Sequence, residues 1–496
     1  MELSVVYSRA LAGLNAPAVE VETHLSNGLP AFNIVGLPET AVRESRDRVR
    51  SALLNSHFTF PDRRITVNLA PADLPKEGGR FDLPIALGIL AASGQVDKKP
   101  LGNYEFIGEL ALDGSLRPVP GAVAAAASLR DTGRKLVAAP TSALLASRVD
   151  ADSVLSAPDL LSLCAHLAGR ETLPFPVPQA IYAPTAGPDL ADIQGQLEAR
   201  RALEIAAAGG HHILFCGPPG TGKTLLASRL PSILPPPDSQ EAVAMLAVRD
   251  VAGQAGDPAD THTRPFRNPH HSASAAALVG GGSRPRPGEI SLAHAGVLFL
   301  DELPEFDRRC LEMLREPLEA GEITLSRARQ QITYPARFQL VAAMNPCPCG
   351  YLGDADRHCR CTPDQIIRYR SRISGPLLDR IDLHVEVKRL QASTLLRSDG
   401  DAEHSAAVRE RVIHCRQLQT HRQRCCNADL DSDSLLEVCA LDVTARRQLE
   451  QIAGRLHLSG RGIYRTLRVA RTVADLVAQP AVNQSHILQA LALRPQ

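Results

Sequence analysis

The residues whose types and spacing most clearly predict chemistry form the motif GPPGTGKT, which directly follows an apolar run. Glycines let backbone N–H groups surround phosphate oxygens, a lysine reaches the terminal phosphates, and a threonine hydroxyl binds Mg²⁺. Lys223 and Thr224 are the lysine and the threonine of this motif. The loop in front of them consists of Gly217, Pro218, Pro219, Gly220, Thr221 and Gly222. The motif therefore predicts a site for ATP and Mg²⁺.

A second group of polar residues lies at the ends of two later apolar runs. The run VLFLDE ends in Asp301 and Glu302, and VAAMN ends in Asn345. A buried strand of this kind brings one acid to Mg²⁺ and the next to the water that attacks the γ-phosphate. The amide of Asn345 can orient that water, although an asparagine here is also an ordinary turn residue. Two adjacent acids favour hydrolysis over nucleotide binding alone.

Four of the 11 cysteines form the pattern C-x-C-x₉-C-x-C. They are Cys347, Cys349, Cys359 and Cys361. Four thiolates complete a tetrahedral Zn²⁺ shell, and such a site is structural because no position is left open for chemistry. The spacing within each pair is shorter than the usual C-x₂₋₄-C. Two alternatives remain open, namely reduced thiols in a loop and a zinc site in which His358 replaces one cysteine.

The texture of the sequence predicts an α/β multidomain protein. Residues 1–168 alternate short apolar runs with turn residues, which indicates an α+β domain with its own core. Residues 169–188 are rich in proline and predict a linker. Residues 189–390 contain near-continuous apolar strands between helices, as in a parallel sheet covered on both faces. Residues 391–496 predict a small helical bundle.

Hydrophobic periodicity also predicts individual elements. The predicted helices are 39–54, 83–93, 196–208, 402–423, 444–456, 462–478 and 483–493. Two strand-like runs within 322–335 predict a hairpin.

The overall composition excludes a global attraction to nucleic acid or membrane. Lys+Arg and Asp+Glu are both 54, so a charged partner must be held by a local patch. The first residues do not have the pattern of a signal peptide, and no apolar run is long enough to span a membrane. An odd number of scattered cysteines in a long chain favours reduced thiols. We therefore expect a cytoplasmic protein without a membrane partner.

Two arginine pairs are candidates for contacts with DNA. Arg284 and Arg286 follow a run of glycines, and Arg327 and Arg329 lie in the predicted hairpin. Guanidinium groups on hairpin tips suit a phosphate backbone, and several subunits would multiply each contact. The alternative is that they are ordinary surface arginines. Phe266 is the one aromatic residue in this part of the chain that could favour a polypeptide track instead.

Several longer motifs carry a resemblance to a known family. They are NPCPCGYLGD, FRNPHHSASAAALVGGG, PGEISLAHAGVLFLDELPEF, GPLLDRIDL and SGRGIYRTLRVARTVADL. Together they resemble the Mg-chelatase-related AAA+ proteins and, over nearly the whole chain, the ComM/YifB family. The resemblance implies a homo-hexameric ring with a helical lid, in which Arg380 of one subunit reaches the ATP of the next. It also implies that Arg461 is the phosphate sensor of the lid. The alternatives are an ordinary Arg–Asp pair for Arg380 and a solvated arginine for Arg461.

The amino-terminal block resembles the catalytic domain of Lon proteases, which has a ribosomal S5 domain 2-like fold. The resemblance runs through PADLPKEGGRFDLPIALGILAA and GELALDGSLRPVPGAVAAAA. Arg80 occupies the position of the nucleophilic serine, and the general-base lysine would fall near Val123. Neither side chain can perform those steps, so we expect a domain without peptidase activity. Its candidate phosphate contacts are Arg43, Arg46, Arg48, Arg50 and Arg80.

These features together predict a hexameric ATPase that acts on single-stranded or branched DNA. The ComM resemblance implies a branch-migration helicase that helps to integrate incoming DNA during natural transformation. An ATP-dependent protease or protein remodeller is one rival, and Arg80 counts against it. A chelatase-type subunit that serves metal insertion into a tetrapyrrole is the other, because the ATPase core is shared.

Overall fold

The structure is a computed structural model of the 496-residue chain. It describes residues 2–130, 132–176, 187–255, 263–282, 285–327, 330–354, 356–391 and 402–494. Within these ranges, no helix is both long enough and apolar enough to cross a membrane.

The amino-terminal segment contains nine strands and six α-helices in its described residues. The strands are β1 (Leu3–Arg9), β2 (Ala18–Ser26), β3 (Ala31–Val35), β4 (Arg64–Ala70), β5 (Tyr104–Phe106), β6 (Glu109–Leu110), β7 (Leu116–Arg117), β8 (Lys135–Ala138) and β9 (Val154–Ser156). The helices are α1 (Thr40–Arg43), α2 (Ser45–Asn55), α3 (Asp82–Ala92), α4 (Ala122–Ala127), α5 (Pro140–Ala146) and α6 (Leu160–Leu167). The single helix predicted at 39–54 is wrong in one respect, because a turn at Glu44 divides it. The Ser45 hydroxyl donates to the carbonyl of Val42 there, a contact that bends helices.

Seven of these strands form one mixed sheet in the order β3-β4-β2-β1-β5-β8-β9. The pairs β1–β2 and β2–β4 are antiparallel, and the other described pairs are parallel. Residues of β1, β2 and β4 alternate between buried and more exposed positions, as expected for strands with one covered face. Every residue of α3 is buried, so this helix forms the centre of the core.

The central segment contains the next nine strands and nine α-helices in its described residues. The strands are β10 (Ile213–Cys216), β11 (Phe266–Arg267), β12 (Gly280–Gly281), β13 (Arg286–Pro287), β14 (Val297–Leu300), β15 (Glu322–Arg327), β16 (Gln330–Pro335), β17 (Gln339–Met344) and β18 (Leu383–Glu386). The helices are α7 (Leu197–Gly209), α8 (Lys223–Ile233), α9 (Ser239–Ala252), α10 (Ala275–Val279), α11 (Glu289–Leu292), α12 (Arg308–Met313), α13 (Arg315–Ala320), α14 (Pro363–Arg370) and α15 (Gly375–Leu378). The predicted hairpin at 322–335 is confirmed, since β15 and β16 pair.

Five of these strands form the predicted parallel sheet, in the order β11-β14-β17-β10-β18. All four pairings between neighbours are parallel. Every residue of β14 and β17 is buried, which explains their almost continuous apolar sequences. The carboxyl ends of parallel strands meet at one edge of the sheet, so the residues that follow β10, β14 and β17 are brought together.

Five helices form the carboxy-terminal segment in its described residues. They are α16 (Ser405–Gln423), α17 (Ser432–Cys439), α18 (Val443–Arg455), α19 (Gly460–Leu476) and α20 (Gln484–Ala492). The sequence prediction missed α17 because it is short and begins in a polar stretch. The side chain of Asp431 caps it by accepting from the backbone N–H groups of Asp433 and Ser434.

The described residues form two compact units. The first unit combines the amino-terminal segment with α9 and most of the β15–β16 hairpin, although both come from the central part of the sequence. Val251, Ile332 and Tyr334 pack there with Leu11 and Leu14. The second unit contains the parallel sheet and the carboxy-terminal helices. The domain boundaries at 168, 188 and 390 remain predictions.

Candidate functional site

The phosphate-binding loop joins the end of β10 to the start of α8. Gly220 and Gly222 have φ angles of +76° and +91°, a conformation that L side chains rarely adopt. The side chain of Lys223 is largely buried, and its ammonium donates to the carbonyls of Gly217 at 2.7 Å and Pro218 at 2.9 Å. Burial lowers the pKa of Lys223, and the nearby carboxylate of Asp301 opposes that effect. The loop thus holds the positively charged ammonium of Lys223 where a phosphate would be bound.

The two acids that follow β14 lie at the same edge of the sheet. The hydroxyl of Thr224 donates to Oδ2 of Asp301 at 2.8 Å, so the two predicted Mg²⁺ ligands are adjacent. The other carboxylate oxygen of Asp301 accepts from the backbone N–H of Glu302 at 2.9 Å. Glu302 has a φ of +53° and a side chain that is 55% exposed. Its carboxylate is therefore free of the core and accessible to water.

Asn345 follows β17, which lies between β14 and β10 in the sheet. Its side-chain oxygen accepts from the ammonium of Lys223 at 3.1 Å. The structure thus brings Lys223, Thr224, Asp301 and Asn345 together through hydrogen bonds. This arrangement is what the three apolar runs predict when they are neighbouring parallel strands.

His271 is a residue of this site that the sequence analysis missed. Its Nδ1 lies 3.4 Å from Oε2 of Glu302, and its ring lies against that of His270 at a centroid distance of 4.1 Å, tilted by 34°. Both histidines follow β11, which pairs directly with β14. The signal that could have found His271 is its position shortly after a strand of the same sheet.

Arg380 and Arg461 make no described hydrogen bond or ion pair with the phosphate-binding loop of their own chain. Arg380 pairs with Glu319 and donates to the carbonyl of Pro376 at 2.6 Å. Its Nε is buried without a hydrogen-bond partner. Arg461 is exposed near the start of α19. Within one chain, the guanidinium of Arg380 is therefore bound to groups other than the phosphate-binding loop.

The four predicted metal-ligating cysteines form a single cluster whose Sγ atoms all lie within 4.8 Å of one another. Three of the S–S distances are 3.4 Å, 3.6 Å and 3.7 Å. Four sulfurs around one Zn²⁺ at about 2.3 Å are separated by about 3.8 Å, so the cluster fits a tetrahedral shell. His358 does not belong to the group. Backbone N–H groups of Tyr351 and Arg360 hold the pKa of the Cys349 thiol down to about 6.

The predicted DNA contacts are only partly covered by the structure. Arg284 and Arg329 lie outside the described residues, as does the side chain of Arg327. Arg286 is exposed in β13, where its backbone pairs with Gly281 of β12. Phe266 is not available as a grip for a polypeptide, because its ring stacks on Phe299 and packs against the core.

Two residues of the amino-terminal unit correct or clarify the expectations for this domain. Arg80 is buried and donates to the carbonyls of Arg9 and Pro120, so its prediction as a phosphate contact is wrong. Arg48 is also engaged within the domain, because its guanidinium donates two hydrogen bonds to the carboxylate of Asp82 at 2.7 Å and 3.0 Å. These two arginines therefore make contacts inside the unit. The resemblance to Lon proteases remains a prediction.

Lys76, four residues before Arg80, and Val123, at the position expected for the general-base lysine, both make other contacts. Lys76 is fully buried and donates to the carbonyl of Pro71. The backbone N–H of Val123 donates to Asp250 of α9 at 2.9 Å. Burial raises the pKa of Asp250, while the N–H groups at the start of α4 stabilise its charged form. These contacts offer no serine–lysine pair.

Comparisons with known proteins cover most of the chain. Family models described as "Magnesium chelatase, subunit ChlI", "Subunit ChlI of Mg-chelatase" and "Magnesium chelatase, subunit ChlI C-terminal" match residues 189–395, 21–142 and 402–494. The protein YifB of Salmonella typhimurium is 50% identical over 495 residues, which are 100% of this chain and 97% of YifB. The competence protein ComM of Haemophilus influenzae is 50% identical over 499 residues, covering 100% and 98% of the two chains. The magnesium-chelatase subunit ChlI of Porphyra purpurea is 25% identical over 225 residues, or 44% of this chain and 55% of that protein.

The parallel sheet, the phosphate-binding loop after β10 and the acids after β14 define an AAA+ P-loop protein. Proteins of this class are ATPases, which bind ATP together with Mg²⁺. The high identity over the full length of both chains then gives the family. The chain belongs to the ComM/YifB family of Mg-chelatase-related AAA+ proteins.

Proposed function

We propose that this protein is an ATP-driven ring motor that acts on DNA and moves branch points between recombining strands. The observation that carries the ATPase part is the meeting of Lys223, Thr224, Asp301 and Asn345 at one edge of the sheet. Glu302 lies beside them with an exposed carboxylate. No other group of described residues combines a phosphate-binding loop with hydrolytic acids.

The residues divide the hydrolysis of ATP between them. Backbone N–H groups of Gly217–Thr224 and the ammonium of Lys223 bind the phosphates. Thr224 and Asp301 would hold Mg²⁺, which neutralises charge on the phosphate oxygens. Glu302 accepts the proton of the attacking water, and Asn345 orients that water. Each role matches the side chain's position at the sheet edge.

The ring is supported by the position of Arg380. The family resemblance implies that an arginine completes the site of the neighbouring subunit, and a guanidinium stabilises the charge that spreads over the phosphoryl group. Arg380 pairs with Glu319 and has no described contact with its own phosphate-binding loop. We therefore propose a homo-hexamer in which Arg380 exchanges Glu319 for the ATP of the next subunit, with Arg461 acting from the lid.

DNA as the track is supported by chemistry and by relationship. Arg286 presents an exposed guanidinium on the short β12–β13 ribbon, where six copies would face a common partner in a ring. Phe266, the candidate grip for a polypeptide, is packed internally instead. The relative from Haemophilus influenzae is called a competence protein, which favours incoming single-stranded DNA as the substrate. We propose single-stranded and branched DNA as the ligands.

A chelatase-type function is the second candidate. The family models carry the chelatase name over all three matched regions. The chelatase subunit of Porphyra purpurea, however, matches 44% of this chain, whereas ComM matches all of it. The relationship to ComM over the full length therefore favours the DNA motor.

We further propose that the four-cysteine cluster binds one structural Zn²⁺. The S–S distances of 3.4–3.7 Å among Cys347, Cys349 and Cys359, with all four Sγ atoms within 4.8 Å of one another, fit the tetrahedral geometry of four thiolate ligands. With all four positions filled by protein, the ion has no open position for a substrate. Its contribution is to the shape of the loop between Cys347 and Cys361.

The function is tested with a synthetic three-strand junction whose branch point can move and whose released strand carries a fluorophore. We expect the protein to release that strand in the presence of ATP and Mg²⁺, because the ATPase cycle drives translocation. The Lys223→Ala variant, which cannot hold the phosphates, should leave the junction intact. An unmoved junction with protein that hydrolyses ATP normally would contradict branch migration.

A further inference from the structure

The loop that contains the cysteine cluster begins at the catalytic edge of the sheet. Asn345 is followed by Pro346 and by Cys347, which is fully buried. The backbone N–H of Gly350 donates to the carbonyl of Cys347 at 2.9 Å and closes a tight turn. One residue, Pro346, therefore separates Asn345 from the first cysteine of the cluster, with no flexible spacer between them.

The turn at Gly350 lies directly against the phosphate-binding loop. A Cβ atom placed on Gly350 would be 2.7 Å from Cδ of Pro219 and 3.8 Å from Cγ of Asn345. Real Cβ atoms essentially never approach another atom to 2.7 Å, so only a glycine fits here. The backbone of the cysteine loop is thus one wall of the phosphate-binding loop.

The other end of the cysteine loop returns to the same place through α14. This helix begins just after Cys361 with a capping box formed by Thr362 and Gln365. Arg370 donates to the carbonyl of Pro346 at 3.3 Å. Burial raises the pKa of Tyr369 to about 12, and the backbone N–H of Asn345 opposes that rise. Both ends of the loop therefore meet at Pro346, the residue that follows Asn345.

We propose that a metal ion in the cysteine cluster fixes the positions of Asn345 and of the Gly350 turn, which lies against Pro219 of the phosphate-binding loop. The occupancy of the metal site would then set the affinity for ATP. This inference rests on the proposed function, in which Gly217–Thr224 binds the phosphates. Four Sγ atoms in one shell cross-link Cys347 to Cys361 and remove the freedom of the residues between them. Without the metal those residues gain freedom, and the Gly350 turn no longer supports Pro219.

Two glycines of the loop offer a matched pair of variants. Gly350 and Gly353 have similar φ angles of +85° and +78°, so an alanine is strained at either position. A Cβ on Gly350 meets Pro219, whereas a Cβ on Gly353 has nothing within 4 Å. Gly350→Ala therefore disturbs the contact with the phosphate-binding loop, and Gly353→Ala controls for the backbone strain.

The experiment measures zinc per chain and the Kd of a fluorescent ATP analogue on the full-length protein. We expect about one zinc per chain in the wild type and in both glycine variants, because all ligands are kept. Gly350→Ala should weaken nucleotide binding by about tenfold, and Gly353→Ala by less than about threefold. Cys347→Ser/Cys349→Ser should lose the zinc and weaken binding at least as much as Gly350→Ala.

Removal and return of the metal test the inference without any substitution. Chelation of the wild-type protein should weaken nucleotide binding, and added Zn²⁺ should restore it. Unchanged affinity after Gly350→Ala and after chelation, with Lys223→Ala unable to bind, would overturn the coupling and leave the proposed function intact. A wild-type protein that binds no nucleotide would instead overturn the proposed function. Bound iron in place of zinc, or no metal at all, would overturn the metal assignment.

Discussion

Glu302→Gln is expected to bind ATP normally and to hydrolyse it at least about a hundredfold more slowly than the wild type. An amide has nearly the size of the carboxylate, but it cannot accept the proton of the attacking water. The phosphate-binding groups and the adjacent Mg²⁺ ligands, Thr224 and Asp301, are unchanged by this substitution. Steady-state ATPase rates and a nucleotide-binding measurement on the same preparation separate the two effects.

The same substitution at Glu305 provides the matched control. Glu305 is an exposed acid three residues later, and it pairs with Arg372 at 2.8 Å on the surface. Losing such a surface pair costs at most about 1 kcal/mol, so Glu305→Gln should keep its ATPase rate. Near-wild-type turnover by purified Glu302→Gln would remove Glu302 from its assigned role.

Arg380→Ala is expected to reduce ATP hydrolysis by about a thousandfold while nucleotide binding persists, because the guanidinium acts on the transition state of a neighbouring site. Mixing this variant with Lys223→Ala should restore part of the activity. An interface has an intact site when Arg380→Ala supplies the phosphate-binding loop and Lys223→Ala supplies the arginine. With random assembly of equal amounts, about a quarter of the interfaces have that order.

Arg315→Ala is the matched control for the loss of an arginine. Arg315 lies on α13 with Glu319 and pairs on the surface with Glu312 at 3.0 Å. Its removal should change the ATPase rate by a few-fold at most. If no mixing ratio of Arg380→Ala and Lys223→Ala restored activity, with co-assembly demonstrated, Arg380 would not act between subunits.

The catalytic edge of the sheet could be predicted from the sequence because each of its residues ends an apolar run. Continuous burial of β14 and β17 makes those runs recognisable. The common direction of parallel strands places their carboxyl ends at one edge of the sheet. The cysteine cluster could also be predicted from the sequence, since four thiols within fifteen residues can approach one another. For the cysteines local sequence determines the geometry, whereas at the sheet edge the order of the parallel strands determines it.

The contacts that depend on distant parts of the chain could not be predicted. His271 lies beside Glu302 only because β11 pairs with β14, and a two-residue strand leaves almost no periodic signal. The approach of Gly350 to Pro219 likewise joins residues far apart in sequence. Sequence patterns report which face of an element is buried, but they do not identify the partner that covers it.

The amino-terminal arginines also show that sequence patterns do not identify the contacts of a side chain. A cluster of arginines suggests a phosphate-binding surface, yet Arg80 is buried and Arg48 is paired with Asp82. Burial of α3 carries the carboxylate of Asp82 into the core, where its charge requires a partner. Charge counting along a sequence cannot distinguish a free guanidinium from one already committed to an internal acid.

ATP hydrolysis in the presence of different polymers tests the central claim most directly. Purified protein is assayed with single-stranded DNA, branched DNA, an unfolded protein or no addition, at one ionic strength because phosphate contacts depend on salt. A motor that acts on DNA should hydrolyse ATP at least about fivefold faster with either DNA, and unfolded protein should have no effect. Stimulation by the unfolded protein alone, with both DNA samples equal to the sample without addition, would contradict the account.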